Sequence, residues 1–89
     1  MIRRSYVFSG RVQHVGFRWR ARQAAVKFGC TGWCRNNPDG TVSMEIQGPE
    51  AKINLAIVAI RCGRYIHVEH MEVLPLPVVP GETEFNSRY

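Results

Sequence analysis

The spacing of apolar residues changes abruptly near residue 13, and that change restricts the chain to folds in which a strand runs directly into a helix. Upstream, Ile2, Tyr6, Phe8 and Val12 share one parity, while Arg3, Ser5, Ser9 and Arg11 occupy the other. Period two with aromatic and β-branched residues predicts a half-buried strand. Downstream, Phe17, Ala21, Ala24, Ala25 and Phe28 fall at i, i+4, i+7, i+8 and i+11, the stripe of an amphipathic helix, which Gly29 terminates. Arg18, Arg20, Arg22, Gln23 and Lys27 make up much of its polar face, Arg20 and Arg22 as solvated side chains.

The pattern then repeats with variations. Strands are expected over 31–36 and 41–47, joined by Asn37-Pro38-Asp39-Gly40. Asn opens this turn, Pro presets the second dihedral and Gly takes the positive one. Gly48-Pro49-Glu50 opens a second helix with proline and an acid in its first turn, and Ile53, Ala56, Ile57 and Ile60 form its core stripe. Leu55 and Val58 leave a second, partly exposed stripe. Gly63 ends the helix. In the next strand Ile66 and Val68 lie in one phase and Met71 and Val73 in the other, a slip that predicts a β-bulge near Glu69-His70. Pro75, Pro77 and Pro80 mark a loop, and residues 84–89 form a short terminal edge strand.

The order β-α-β-β-α-β plus a small strand describes an α+β protein, a ferredoxin-like α/β sandwich with an antiparallel sheet and two helices on one face. At 89 residues the chain is expected to be a single domain, 1–89. In this topology strands 1 and 2 run parallel with strand 3 between them, so their ends lie on the order of 10 Å apart at one edge of the sheet. Residues 13–18 and Asn36 are thereby brought together.

Composition bears mainly on partners. The net charge of +5 favours anionic ones without choosing between nucleic acid and phosphorylated metabolites. The apolar stretch from Ile53 to Ile60 is far shorter than the ~20 residues of a membrane span, and Arg3, Arg4 and Ser5 interrupt any leader-like run. Cys30, Cys34 and Cys62 are an odd set without metal-site spacing and are read as reduced thiols in a cytoplasmic protein. Cys30 and Cys62 end helices at opposite edges of the sheet, which argues against their pairing. His67 and His70 lack further ligands at suitable spacing. Trp19 and Trp33 are expected to pack rather than to stack on bases.

Two segments carry candidate chemistry. Gln13-His14-Val15-Gly16-Phe17-Arg18 runs from strand to helix, where amides without intrahelical acceptors and the positive dipole end suit an anion. Arg18, in the first helical turn, can grip phosphate through two parallel donors; a solvated arginine on a polar face is the plainer reading. Asn36 stands at the end of a strand beside this turn, with Asn37 already serving as the turn former. Its carboxamide can orient a water without adding negative charge, or it can be structural.

Both segments resemble a known family. Gly10-Arg11-Val12-Gln13-His14-Val15-Gly16-Phe17-Arg18 is similar to the acylphosphatase signature G-x-V-Q-G-V-x-F-R, and Gly32-Trp33-Cys34-Arg35-Asn36, then Gly40-x-Val42 and Gly48, is similar to the second signature. The resemblance covers nearly the whole chain, weakening after Gly63 and returning at Phe85 and Arg88-Tyr89. It implies a cofactor-free and metal-independent hydrolase that cleaves small acyl phosphates to carboxylate and inorganic phosphate, the latter a product inhibitor. It further implies that residues 13–18 cradle the phosphate, Arg18 clamps it and Asn36 holds the attacking water. A monomer without nucleic-acid or membrane partners is expected. One position departs from the pattern, since His14 stands where the family has glycine. Two other readings follow: a catalytically impaired anion-binding relative with His14 as the lesion, and an RNA-binding module of similar topology. The latter needs aromatic residues on the open face of the third strand, and 41–47 contains none.

Overall fold

The computed structural model describes residues 1–88. Its elements are β1 (Ile2–Arg11), α1 (Phe17–Lys27), β2 (Thr31–Asn36), β3 (Val42–Gly48), α2 (Glu50–Arg61), β4 (His67–Leu76) and β5 (Phe85–Arg88). The sheet order is β4-β1-β3-β2-β5, antiparallel except for the β2–β5 pair. β1 and β2 therefore run parallel on either side of β3, as the element order requires; α1 follows β1 across residues 12–16, and α2 follows β3 across Pro49. Tyr89, the last residue of the expected edge strand, lies outside the described residues.

The core forms between the helices and one face of the sheet. Tyr6, Phe8 and Val12 from β1 and its exit meet Val42, Met44 and Ile46 of β3, alternate residues sharing a face as strand geometry demands. Phe17, Ala21, Ala24 and Ala25 of α1 and Ile53, Ala56, Ile57 and Ile60 of α2 close over them, the two stripes read from the sequence. Burial of each large side chain contributes roughly 1.5–3 kcal/mol. Phe17 sits on Phe8 with ring centroids 4.9 Å apart, so the first helical residue after the β1–α1 loop is anchored in the core.

Two expectations about prolines need correction. Pro49 is the N-cap of α2, at φ −59 and ψ 139, rather than a first-turn residue; its carbonyl accepts from the amides of Lys52 and Ile53 at 3.0 Å. Pro75 lies inside β4, opposite Arg4, instead of in a loop. An edge strand tolerates it because its missing N–H would have faced outward. The bulge falls where the phase slip predicts: Ser9 pairs with His70 but Gly10 with Val68, leaving Glu69 unopposed. Gly10 has φ +115, and a Cβ there would come within 2.4 Å of the His67 carbonyl oxygen, so the bulge requires glycine.

Arg3 departs most from its sequence pattern. It lies on the strand's polar phase yet is only 3% exposed. The segment between β4 and β5 folds back across the open face of the sheet and covers it. Arg3 Nε donates to Glu45 at 3.0 Å, and Nη1 donates to Glu82 at 2.8 Å and to Gln47 at 3.2 Å. Gln47 in turn exchanges two hydrogen bonds with the backbone of Val79. Burial raises the Glu82 pKa, but donors from Arg3 and Thr31 together with the Arg3 charge outweigh it and hold the carboxyl below its ordinary value.

A depressed carboxylate stabilises the fold above its unfolded pKa, and that contribution is lost as pH falls through the folded value. Glu82→Gln is expected to cost roughly 1–3 kcal/mol at pH 7, since it leaves Arg3 partly unpaired. Urea unfolding checks this: the gap between wild type and variant should narrow as pH drops below the ordinary glutamate value of 4.5. A gap that is constant with pH would show that the ion pair does not contribute.

Candidate active site

The β1–α1 loop is built from alternating backbone hands. His14 has φ 61 and Gly16 φ 78, whereas Val15 between them is not left-handed. Such alternation turns successive peptide N–H groups toward one concavity, a geometry suited to anions. Gly16 is also the N-cap of α1, and no side chain caps the helix and no acid occupies its first turn. The first backbone bond of the helix runs from the Arg20 amide to the Gly16 carbonyl at 3.0 Å, so the preceding amides have no intrahelical acceptor.

Side chains of the loop hold it in place. Gln13 Nε2 donates to the carbonyls of Asn37 and Thr41 at 2.7 and 2.9 Å, tying the loop to the β2–β3 turn. Val15 packs against the core, and Phe17 is 2% exposed within it. What Gln13, Val15 and Phe17 can offer an anion is thus their main-chain N–H. The turn itself is stiff. Asn37 donates to the hydroxyls of Thr41 and Ser43, and Gly40 has the positive φ, +92, foreseen for it. Asp39 accepts from the hydroxyl and amide of Thr41, which lowers its pKa.

A cavity of about 420 Å³ opens at this edge of the sheet. His14, Gly16, Arg18 and Asn36 line it together, which is the convergence inferred from topology. Arg18 Nη1 donates to the Arg88 carbonyl oxygen at 2.8 Å, fixing the guanidinium against the end of β5. Asn36 is half-buried and pairs with Val42 in the sheet; its carboxamide has no hydrogen-bond partner among the described residues.

Four further residues line the cavity beyond those expected from the sequence: Val12, Trp19, Arg22 and Ser87. Trp19 was expected to pack but is 69% exposed. Arg22 lies four residues beyond Arg18 on the same helix face, a spacing visible in the sequence. Ser87 arrives through the long-range pairing of β5 with Cys34 of β2, for which no local signal exists. Arg20 is not the solvated arginine expected; its Nε donates to the Ala59 carbonyl at 2.7 Å, joining α1 to α2.

Cys34 lies beneath the cavity, its Sγ 4.0 Å from the Arg18 carbonyl oxygen. Burial pushes its pKa up to about 11 despite the Arg18 charge and a hydrogen bond with Ser87, so the thiol stays protonated at neutral pH. Cys30, Cys34 and Cys62 are all free. Among the described residues, no group of three or more His, Cys, Asp or Glu side chains is placed to hold a metal ion. No helix among them is long and apolar enough to cross a membrane. On the open face of the sheet, β3 presents Ser43, Glu45 and Gln47 instead of aromatic rings, and Trp33 is half-buried with the guanidinium groups of Arg88 and Arg35 at 4.6 and 5.5 Å from its ring. That face is not an RNA-stacking platform.

Comparison with known proteins agrees with this geometry. The family model for acylphosphatase matches residues 4–87. The acylphosphatase of Clostridium beijerinckii is 39% identical over the whole of both chains, and that of Geobacillus kaustophilus is 40% identical over 93% of this chain and 89% of the relative. The crystal structure of acylphosphatase from Bacillus subtilis superposes over the full length of both chains with a TM-score of 0.92 at 30% identity. Sheet order, signature loop and relatives all lead to one assignment: the chain belongs to the acylphosphatase family, hydrolases that act on acid anhydrides.

Proposed function

We propose that the cavity hydrolyses small acyl phosphates by direct attack of water, with the phosphoryl group held by Arg18 and the amides of residues 13–18 and the water held by Asn36. The observation that carries this reading is the meeting of Arg18 and Asn36 in one cavity at the uncapped start of α1. A phosphoryl group there gains hydrogen bonds that the helix cannot make for itself, together with the favourable end of the dipole. Arg18, steadied by Arg88, presents further donors from its fork of five.

The reaction balances without a protein acid or base. The water oxygen forms a bond to phosphorus as the phosphorus–oxygen bond to the acyl group breaks, and the departing electron pair leaves as a carboxylate. That leaving group is stable as an anion at neutral pH and needs no proton. The water's proton passes to a phosphate oxygen. What remains for the protein is positioning and charge stabilisation, which account for most of phosphoryl-transfer catalysis. We further take the 89 residues to act as one domain and as a monomer, and in the cytoplasm, where three free thiols persist.

Four outcomes follow for activity and stability. Activity against an aromatic acyl phosphate should survive exhaustive EDTA treatment, with inorganic phosphate inhibiting competitively; loss of activity restored by a divalent metal would overturn the mechanism. Arg18→Ala should weaken phosphate inhibition and lower turnover together, each bond lost being worth roughly 1.5–3 kcal/mol. Asn36→Ala should lower turnover and leave phosphate inhibition nearly intact, and abolished phosphate binding in that variant would refute the water-positioning role. Finally, His14 holds a left-handed conformation in a loop tied to the β2–β3 turn and to the core, so its strain is borne in folding. His14→Gly is therefore expected to stabilise the protein by a few tenths to ~1 kcal/mol, the αL cost relieved less the extra freedom of an unfolded glycine. Urea midpoints measure this, and a destabilised variant would mean that the imidazole makes a contact the fold depends on.

A further inference from the structure

The cavity is much larger than a phosphoryl group requires. At about 420 Å³ it has room for the acyl portion of the substrate as well, and its walls carry His14, Arg18 and Arg22 with no Asp or Glu among them. Arg22 is exposed. Among the described residues it forms no salt bridge and no hydrogen bond, although it also borders a second cavity near Glu84. A cation at the wall of such a cavity, with no carboxylate among the described residues paired to it, is arranged to receive negative charge from a ligand.

Helix geometry fixes where that charge would sit. Arg18 and Arg22 are one turn apart on α1, a rise of about 6 Å. Trp19, next to Arg18 in the sequence, presents an exposed indole along the same cavity. With the phosphoryl group at Arg18 and the loop, the acyl chain would extend past Trp19 toward Arg22. In a monophosphate of a four-carbon dicarboxylic acid, the phosphorus and the far carboxyl carbon are about 6 Å apart by ordinary bond lengths.

Resting on the hydrolytic reading above, we infer that Arg22 is a specificity residue that selects acyl phosphates bearing a second carboxylate at the far end of the acyl chain, with Trp19 covering the methylenes between. Arg22 takes no part in bond making; it contributes binding at the non-reacting end, which raises kcat/KM for such substrates over neutral ones of equal length.

The test compares succinyl phosphate with butyryl phosphate, each corrected for spontaneous hydrolysis, in wild type, Arg22→Gln and Arg22→Lys. Wild type should favour succinyl phosphate in kcat/KM on the order of five- to tenfold at low ionic strength, as expected for a partly solvated charge-assisted contact. The preference should shrink with added salt. Arg22→Gln should bring the ratio to about one, and Arg22→Lys should retain part of it. Equal kcat/KM for the two substrates in wild type would overturn the proposal and leave the hydrolytic reading standing. A fall shared equally by both substrates in Arg22→Gln would overturn it too, by placing Arg22 at the phosphate. Failure to hydrolyse either compound would remove the hydrolytic reading and the proposal with it.

Discussion

One side-chain amide joins the two halves of the site. Gln13 Nε2 bonds the carbonyl oxygens of Asn37 and Thr41, bridging the loop that begins α1 to the turn that follows β2. The two segments are parallel neighbours once removed, separated by β3, and have no main-chain ladder between them. Without that bridge the spacing between Arg18 and Asn36 would depend on β3 alone, through a flexible loop on one side and a turn tip on the other. The bridge also uses both amide hydrogens of Gln13, so its side chain acts on the site through the geometry it imposes.

The remaining parts of the loop divide in the same manner. Val15 and Phe17 pack against the core, Phe17 with its ring tilted against Phe8, so the loop is attached to the best-buried part of the molecule. Backbone amides are left for the cavity, and its wall carries Arg18 and Arg22 with no Asp or Glu. This division suits a reaction whose leaving group is already a stable anion. A base or acid placed there would add charge or a competing hydrogen bond without lowering the barrier, whereas fixed donors strengthen as negative charge spreads over the transferring group. Cys34 fits the same pattern: its burial keeps it a neutral thiol under the proposed phosphate site, where a thiolate would repel an anionic substrate.

How much of this could be read from the chain varies with the range of the interaction. The helical stripe of Ile53, Ala56, Ile57 and Ile60, the bulge at Glu69 and the Asn37–Gly40 turn are local consequences of spacing and turn chemistry, and all three are as the residues dictate. Convergence of Arg18 and Asn36 needed only the element order, because parallel strands flanking a third have few places to end. Arg3, Ser87 and Trp19 were different. Arg3 is buried by a segment more than 70 residues away, and Ser87 reaches the cavity through a parallel pairing no hairpin signal announces. Trp19 is large and apolar, which argues for burial by type, yet it falls between the core positions Phe17 and Ala21 and the helical period turns it outward. Arg20 failed for a related reason, since the carbonyl that captures it belongs to the end of α2.

The hand of the loop bears on why a histidine can stand at position 14 at all. In a loop that changed shape upon binding, left-handed strain at a non-glycine residue would subtract from affinity each time the ligand entered. Here the left-handed pair His14 and Gly16 lies between a residue locked to the turn and a residue locked in the core. Strain of about 1–2 kcal/mol then falls on the folding equilibrium, where burial of Phe8, Phe17 and Ile53 exceeds it several-fold. A loop held at both ends in this way has less ordering entropy to lose on binding than a mobile one. A glycine would make the same curve more easily but would bring no side chain to the cavity wall. With histidine the wall carries a side chain on the cavity that Arg18 and Arg22 also line, at the cost of a fraction of fold stability.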